Sequence, residues 1–206
     1  MNKNNDKKIN QRLNSTNKYI DDLFSNYSRL NFIKPDLGYK KEISKNLTLE
    51  EANKDFKRML NNTRSKPTVF DNLVGYIAKR EYTEEKGVHF HPIFIYDANK
   101  VQKDVHKAEQ IANYWKNDIT KGNGISHNCN RNNYKHKALG IIEHNDVKKI
   151  ELLKEKVIPY ICKEEQSIDG LKKSNKDRSL TRGIAPKSKS KVGRPRGTNT
   201  TKKQSK

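Results

Sequence analysis

The sequence predicts an α+β fold of the ferredoxin-like or RRM-like βαββαβ type, with a central antiparallel sheet and one further C-terminal helix. The prediction rests on the order of elements, which is strand, helix, strand, strand, helix, strand, helix. Alternating apolar residues indicate the strands, and apolar residues three or four apart indicate the helices. With 206 residues, 32% of them hydrophobic, the chain can bury one modest core. We therefore expect one domain over 28–166.

The N-terminal extension, 1–27, is polar, and we expect only a short helix in it, from about residue 17. The first core strand spans 28–39, where Pro35 indicates an edge position or a bulge. Thr48 and Glu51 have the spacing of a capping box, which begins an amphipathic helix. These signals cover the first strand and the first helix of the predicted core.

The second half of the core begins with two strands joined by a short turn, which predicts a hairpin. The remaining elements are predicted at the following positions: strands at 73–82, 87–97 and 137–143, a helix at 100–119, a polar loop at 121–134, and a last helix capped by Asn145 or Asp146. Pro159 should kink or restart that last helix, because proline lacks the amide donor and clashes with the preceding turn.

The charge of the chain indicates a polyanionic partner. Forty-four Lys and Arg against 24 Asp and Glu give a net charge of +20, which fits nucleic acid first. Residues 167–206 carry a net +11 and few apolar residues, so we expect a disordered basic tail that binds DNA. Its segment 193–197 resembles an AT-hook core, although a generic basic tail explains it equally well. The candidate DNA-binding residues are Arg178, Arg182, Arg194 and Arg196.

The cellular compartment is predicted from features that the sequence lacks. It has no apolar run of the roughly 20 residues that span a membrane, and its first residues do not form a secretory signal. Cys129 and Cys162 form no disulfide framework pattern, so reduced thiols are expected. We expect a cytoplasmic protein with no membrane partner.

A candidate metal site lies on the predicted hairpin. His89 and His91 are two residues apart on a strand, so their side chains point to the same face. Glu81 ends the preceding strand and returns close to them if the two strands pair across the short turn. Two imidazoles and a carboxylate that leave positions open suit Mg²⁺ or Mn²⁺ holding a phosphate oxygen.

A candidate nucleophile follows in the last helix. Tyr160 and Lys163 are three residues apart and are therefore neighbours on one helical face. A phenol can attack a phosphodiester when a metal polarises the non-bridging oxygen and a cation stands beside the developing charge. We predict Tyr160 as the nucleophile and Lys163 as that cation.

Two other readings of these residues remain open. His89-Phe90-His91 could begin a histidine-triad nucleotide hydrolase, although Ile93 stands where that motif needs a third histidine. A structural zinc site could use His127, Cys129 and His136, although their spacing matches no common finger pattern.

His89-Phe90-His91 followed by Tyr160-x-x-Lys163 resembles the pattern of the HUH endonucleases, which are rolling-circle replication initiators. The chain is most similar to the filamentous-phage (inovirus) gene-2-type replication proteins and their prophage relatives, over 28–166. Further segments resemble that family in the expected order: Asp36-Leu37, Glu81, Gly87-Val88, 124–130 and Gly140-Ile141.

The resemblance implies an enzyme that nicks single-stranded origin DNA and forms a 5′-phosphotyrosine intermediate with a free 3′-OH. It implies that Glu81, His89 and His91 are metal ligands, that Tyr160 is the nucleophile and that Lys163 assists it. It also implies a host replicative helicase and polymerase as partners. The chain has no second tyrosine within one turn of Tyr160, so closing the replicated circle needs a second subunit or another route. The alternative is a DNA-binding regulator on the same fold without catalysis.

Overall fold

The strand Gly87–Asp97 is the centre of the sheet because three other strands pair with its two edges. The computed structural model describes residues 3–132, 138–163, 168–172 and 177–186. Every residue of this strand except Asp97 is buried, so both of its faces are covered. The predicted strand that carries His89 and His91 therefore lies at the centre of the fold.

Among the described residues, seven antiparallel strands form one curled sheet. They are β1 (Arg29–Ile33), β2 (Pro35–Tyr39), β3 (Leu73–Thr83), β4 (Gly87–Asp97), β5 (Gly124–Asn128), β6 (Gly140–Glu143) and β7 (Leu180–Arg182). One edge of β4 pairs with β3, and the other pairs with β1 and β2 in succession. Beyond these lie β6 next to β1, β5 next to β2 and β7 next to β3. The prediction of an α+β fold with a central antiparallel sheet is confirmed at this level.

Seven α-helices pack around this sheet in the part of the chain that the structure describes. They are α1 (Lys3–Asn26), α2 (Lys41–Ser44), α3 (Leu49–Asn61), α4 (Pro67–Phe70), α5 (Asp104–Asn113), α6 (Val147–Leu152) and α7 (Ile158–Cys162). The capping box predicted at Thr48 and Glu51 begins α3, with both of its reciprocal hydrogen bonds formed. None of the described helices has the length and apolar character that crossing a membrane requires.

The two faces of the sheet carry two apolar clusters. On one face, Phe90 and Phe94 of β4 pack with Phe56 of α3 and Ile111 of α5. On the other face, residues of α1 and α7 cover the apolar part of β1, β3 and β4. That second cluster includes Tyr19, Ile20, Leu23, Phe24, Phe32, Ile77, Ile93, Ile95, Ile158 and Ile161. The metal-site candidates lie on this second face.

Helix α1 is longer than the sequence predicts. It spans 24 residues and begins at Lys3, whereas a short helix from about residue 17 in a polar extension was expected. Its apolar residues from Tyr19 to Phe24 are buried against the sheet. Once that half is docked, each further residue toward the N-terminus adds a helical hydrogen bond without a new nucleation cost. The C-terminal half of α1 is therefore part of the packed fold.

The first core strand is divided at Lys34 into β1 and β2. Strand β2 pairs with β4 on one side and β5 on the other, so Pro35 is not at a sheet edge. The irregularity that Pro35 predicts is instead this break in the strand. Strand β5 lies within the predicted polar loop, and pairing with β2 from Pro35–Asn128 to Tyr39–Gly124 accounts for its extended backbone.

The last helix begins where the sequence predicts, because the Asp146 side chain accepts a hydrogen bond from the Lys149 amide at 3.0 Å. A wider π-helical turn over Leu153–Val157 joins α6 to α7. The α-helix resumes after this wider turn with Pro159 in the first turn of α7. The predicted restart of the helix at Pro159 is therefore observed.

The C-terminal region contains ordered structure that the sequence does not predict. Strand β7 adds to the free edge of β3, with Ile77 opposite Arg182 and Lys79 opposite Leu180. The expectation of a disordered tail from residue 167 is therefore wrong over 177–186. The backbone hydrogen bonds of the β3 edge order this short segment, and they depend on a strand a hundred residues away in sequence.

Candidate metal centre

The pairing of β3 with β4 brings Glu81 directly opposite His89. His91 follows two residues later on the same face of β4, as the strand periodicity predicts. The three side chains are buried and each offers one ligand atom, and these atoms lie within 4.8 Å of one another. Glu81, His89 and His91 could therefore hold a metal ion.

The ligand atoms converge on one oxygen of Glu81. Nε2 of His91 lies 2.9 Å from Oε2 of Glu81, and Nε2 of His89 lies 3.5 Å from the same oxygen. The two imidazole rings are nearly perpendicular, with centroids 5.1 Å apart. Both Nε2 atoms thus face the carboxylate.

The other nitrogen of each imidazole has a fixed acceptor. Nδ1 of His89 donates to the carbonyl oxygen of Gly87 at 2.9 Å, and Nδ1 of His91 donates to the carboxylate of Asp36 at 2.7 Å. A proton held on Nδ1 leaves Nε2 as the atom available to a metal, and such outer partners orient metal-ligating histidines in general. The residues therefore fit a divalent cation.

Two buried lysines pair with the acidic groups of the centre. Lys34 contacts the carboxylate of Asp36, and Lys79 contacts that of Glu81. The contacts run across three strands in the order Lys34, Asp36, His91, Glu81, Lys79. Each lysine at an end of this row stands next to a carboxylate, which keeps each buried ammonium next to an opposite charge.

The row of charges sets the pKa values of its members. Burial raises the pKa of Asp36 and Glu81, but the hydrogen bonds from the histidines and the contacts with the lysines outweigh it, so both pKa values are lowered. Burial lowers the pKa of His91, but its hydrogen bonds to Asp36 and Glu81 outweigh burial and raise it. Both carboxylates are therefore ionised and available as ligands or acceptors at neutral pH.

Tyr160 lies beside the centre. Its ring centroid is 6.4 Å from that of His91, and its side chain is half-exposed, with a relative accessibility of 52%. Helix α7 positions it, because Ile158 and Ile161 of the same helix are buried in the apolar cluster. The structure therefore brings together four of the five residues predicted to do chemistry, namely Tyr160, Glu81, His89 and His91.

Lys163 lies near Tyr160, but not on the same helical face as predicted. Helix α7 ends at Cys162, and Lys163 is its C-terminal cap with an extended backbone. Its ammonium nitrogen is 6.0 Å from the centroid of the Tyr160 ring. The lysine is thus a neighbour of the ring rather than part of an aligned pair.

The surroundings of Tyr160 keep its phenol protonated. Burial raises the pKa of Tyr160, the negative charges of Glu81 and Asp36 raise it further, and the positive charge of Lys34 only partly opposes them. The net pKa lies above its ordinary value, so the protein's own charges do not create a phenolate. Additional positive charge at the carboxylates would be needed to make this phenol a better nucleophile.

A groove of about 630 Å³ opens onto the two histidines. Strands β2 and β5 and the β3–β4 turn form its walls, and its lining contains two lysines, Lys41 and Lys86, and two acidic residues, Asp36 and Glu85. Gly38 lies on its floor, where a Cβ would stand 3.7 Å from Cβ of His89 and 3.5 Å from Cγ1 of Ile125. The groove therefore opens the two histidines of the candidate metal centre to a ligand from outside.

The other sequence-predicted site residues lie elsewhere. Arg178 and Arg182 line a second cleft, described below, whereas Arg194 and Arg196 are outside the described residues. For the alternative zinc site, His136 is also outside the described residues. Cys129 is buried and accepts a hydrogen bond from Lys34 at 3.5 Å.

Sequence reasoning missed Asp36, Lys34 and Lys79 as members of this centre. Lys34 and Asp36 are two residues apart, as are Lys79 and Glu81, so each pair shares a face wherever the backbone is extended. This two-residue spacing could have been used to predict that each lysine lies beside its carboxylate. The contact of Asp36 with His91 was not predictable from it, because it depends on β2 lying next to β4.

Comparison of the chain with protein-family models, with curated proteins and with solved structures gives no match. The chemistry assigned to this centre therefore depends on the residues and distances of the molecule itself.

Proposed function

We propose that this protein nicks single-stranded DNA at a replication origin, with Tyr160 as the nucleophile and a divalent metal held by Glu81, His89 and His91. The observation that carries the proposal is the position of Tyr160. Its ring lies 6.4 Å from that of His91, at the end of a helix anchored in the core, and its side chain remains half-exposed to a substrate. A solvent-accessible tyrosine beside a buried histidine and carboxylate cluster fits phosphodiester chemistry.

The arrangement of the sheet supports the same proposal. Strand β6 lies next to β1, β1 next to β4 and β4 next to β3. Helix α3 comes between the first and second core strands, and α5 between the third and fourth. We propose that these elements form the predicted ferredoxin-like βαββαβ core, and that α1, β5 and β7 are additions to it.

The donor set favours Mn²⁺ over Mg²⁺ as the metal. Mg²⁺ prefers an octahedron of oxygen atoms, whereas two of the three donors here are imidazole nitrogens, which suit first-row transition metals. The carboxylate of Glu81 is ionised and the Nδ1 atoms of both histidines are occupied, as binding through Nε2 requires.

In the proposed reaction, Oη of Tyr160 attacks the phosphorus of the scissile phosphodiester. The bond from phosphorus to the 3′ oxygen breaks, the phenol loses its proton and the leaving oxygen gains one. The products are a 5′-phosphotyrosine and a 3′-OH that can prime synthesis. When bound, the divalent metal polarises the non-bridging oxygen and adds positive charge beside the phenol. Asp36 holds the imidazole of His91 in place, and Lys163 and Lys34 contribute positive charge near the phenol.

The test is capture of a covalent adduct. A library of randomised single-stranded oligonucleotides with a 3′ fluorophore is incubated with the purified protein and Mn²⁺, then resolved under denaturing conditions. We expect labelled DNA to migrate with the protein in Mn²⁺ and not in EDTA. Tyr160→Phe should abolish the adduct, because a phenyl ring carries no nucleophilic oxygen. Sequencing the captured strands would identify the nick site.

Tyr82→Phe is the matched control. Tyr82 is next to Glu81 in sequence but packs against the apolar cluster on the opposite face of the sheet. It should leave the adduct intact. An adduct that persists in Tyr160→Phe would show that the nucleophile is misassigned. A wild-type protein that binds both Mn²⁺ and DNA without forming an adduct would favour the non-catalytic DNA-binding regulator.

A further inference from the structure

A second cleft, with a volume of about 610 Å³, lies between α1 and β7. Four of its lining residues are cationic and one is acidic. The cationic residues are Arg12, Lys172, Arg178 and Arg182, and the acidic residue is Asp177. Such a concentration of one sign of charge in a concave surface attracts polyanions.

The sheet holds the β7 side of this cleft in place. Strand β7 pairs with the edge of β3, and further backbone hydrogen bonds join Gly183 to Tyr76 at 2.9 Å and Arg80 to Ser179 at 2.7 Å. The Arg80 guanidinium also donates to the carbonyl oxygen of Arg178. The backbone that carries Arg178 and Arg182 is therefore ordered by the core and does not behave as part of a solvated tail.

Arg182 is oriented by contacts with α1. Its Nη1 donates to Oγ of Ser15 at 2.8 Å, and its guanidinium lies 5.8 Å from the centroid of the Tyr19 ring. A guanidinium fixed in this way presents a planar fork of donors, which matches two oxygens of one phosphate. The side chain of Arg178 is exposed at the same cleft.

Two buried hydroxyl groups, of Ser179 just before β7 and of Thr181 within it, lie next to these arginines in sequence. Oγ of Ser179 and Oγ1 of Thr181 are buried and have no hydrogen-bond partner among the described residues, and both residues line the cleft. Buried hydroxyls without a partner are uncommon, because each loses its hydrogen bonds with water. Ser179 and Thr181 alternate along the extended backbone with Arg178 and Arg182, so their side chains point to the opposite face, and the phosphate contacts of the cleft come from the arginines.

The cleft begins close to the candidate metal centre. Leu180 of β7 lies opposite Lys79, whose ammonium contacts Glu81. At the end of α7, two residues after Tyr160, burial raises the pKa of the Cys162 thiol, while the charges of Arg12, Lys79 and Arg182 oppose that rise. Two cations of the cleft, Arg12 and Arg182, are therefore close enough to the end of α7 to affect this thiol.

We propose that the α1–β7 cleft binds backbone phosphates of single-stranded DNA. If the proposed function is correct, this is the same strand that passes the metal centre, and the cleft holds it on the β7 side of Tyr160. The contacts run from charged side chains to phosphates rather than to base edges, so binding here is independent of sequence.

The test is the salt dependence of binding to a fluorescein-labelled dT20 oligonucleotide, measured by anisotropy in EDTA with the full chain. Arg178→Gln/Arg182→Gln should weaken binding about 10-fold near 0.1 M salt and reduce the slope of log K against log salt by about 1.4, since each phosphate contact on a single strand contributes about 0.7. Asp177→Asn should act in the opposite direction and strengthen binding, because it removes the one negative charge of the cleft.

Arg64→Gln is the matched control, because Arg64 is exposed in the turn between α3 and α4 and does not line the cleft. It should leave the slope unchanged within the error. If the double variant fails to fold, Arg178→Gln alone can be measured in its place. The Arg178 side chain is exposed and lies outside the residue pairs that join β7 to β3, so this variant should fold. Arg178→Lys/Arg182→Lys retains the charge and should restore most of the slope.

An unchanged slope in both Gln variants would overturn the proposal, as would a cleft that binds a deca-glutamate peptide but not dT20. The outcome is separable from that of the adduct experiment. If the Gln variants reduce the slope but the wild-type protein forms no adduct, the cleft proposal stands and the nuclease proposal fails. If the slope is unchanged but the adduct forms, the nuclease proposal stands and the cleft proposal fails.

Discussion

The two halves of one face of β4 are built from the same alternating pattern and have opposite roles. His89 and His91 occupy the first half of this face, and Ile93 and Ile95 occupy the second. All four side chains are buried. The isoleucines are covered by apolar residues of α1 and α7, whereas the histidines are surrounded by charged groups of β2 and β3.

The two halves differ in the free-energy change that burial of their side chains brings. Burying the isoleucines removes apolar surface from water and stabilises the fold directly, by roughly 25 cal/mol for each Å². Burying Lys34, Lys79 and Glu81, and partly burying Asp36, removes charges from water, which costs free energy that their mutual contacts only offset. The apolar half therefore provides the stability on which the charged half depends.

The same comparison shows why a metal fits only the charged half. A cation needs ionised oxygens and imidazole nitrogens that are held in place before it arrives. The row from Lys34 to Lys79 provides this preorganisation through ion pairs and hydrogen bonds, and Tyr160 of α7 lies beside His91 in that row. Substitutions on the two halves should therefore separate stability from metal affinity.

The largest expected effect is on the buried pair of Glu81 and Lys79. Glu81→Gln should lower the free energy of unfolding by about 3 to 5 kcal/mol, because it leaves a buried ammonium without the carboxylate it contacts. Urea denaturation measures this change. Lys79→Met combined with Glu81→Gln should recover most of the loss, since the buried charge is then removed as well.

Asp22→Asn is the control for this pair. Asp22 forms an exposed ion pair with Lys18 at 3.1 Å, and an exposed pair contributes less than about 1 kcal/mol. If Glu81→Gln were no more destabilising than Asp22→Asn, the charged half of the face would not be electrostatically coupled in the way described.

The second effect, on Asp36, concerns metal affinity. Asp36→Asn should weaken Mn²⁺ binding about 10- to 100-fold, equivalent to about 1.4 to 2.8 kcal/mol, because the carboxylate fixes the tautomer and orientation of His91. Isothermal titration calorimetry with Mn²⁺ measures the change. Asp55→Asn is the control, since Asp55 accepts a hydrogen bond from Tyr39 at 3.1 Å away from this face. If Asp36→Asn and Asp55→Asn bound Mn²⁺ with equal affinity, Asp36 would have a structural role and no role in metal binding.

The three metal-ligand candidates could be predicted from the sequence because their geometry is local. A two-residue spacing fixes the face of His89 and His91, and a short turn fixes the pairing that brings Glu81 opposite them. The helix that carries Tyr160 was also predictable, including the effect of Pro159. These inferences needed only one strand, one hairpin and one helix.

What the sequence could not provide depends on distant partners. Strand β5 pairs with β2, and β7 pairs with β3, although neither segment has an alternating apolar pattern of its own. The partner of His91 is Asp36, 55 residues away, and it is determined by the order of strands in the sheet. The basic composition of 167–206 indicates disorder when read alone, because composition does not include the pairing surface that β3 offers to β7.

The smallest expected effect is in the apolar half of the face. Ile93→Val should lower the free energy of unfolding by about 0.5 to 1.5 kcal/mol, because it leaves a small cavity under α1 and α7. It should leave the affinity for Mn²⁺ unchanged, even though Ile93 is only two residues from His91 on the same strand face. His89→Ala is the reciprocal variant, which should remove metal affinity. A loss of Mn²⁺ affinity in Ile93→Val comparable to that of Asp36→Asn would mean that the packed half positions the ligands, and that the two halves form one unit.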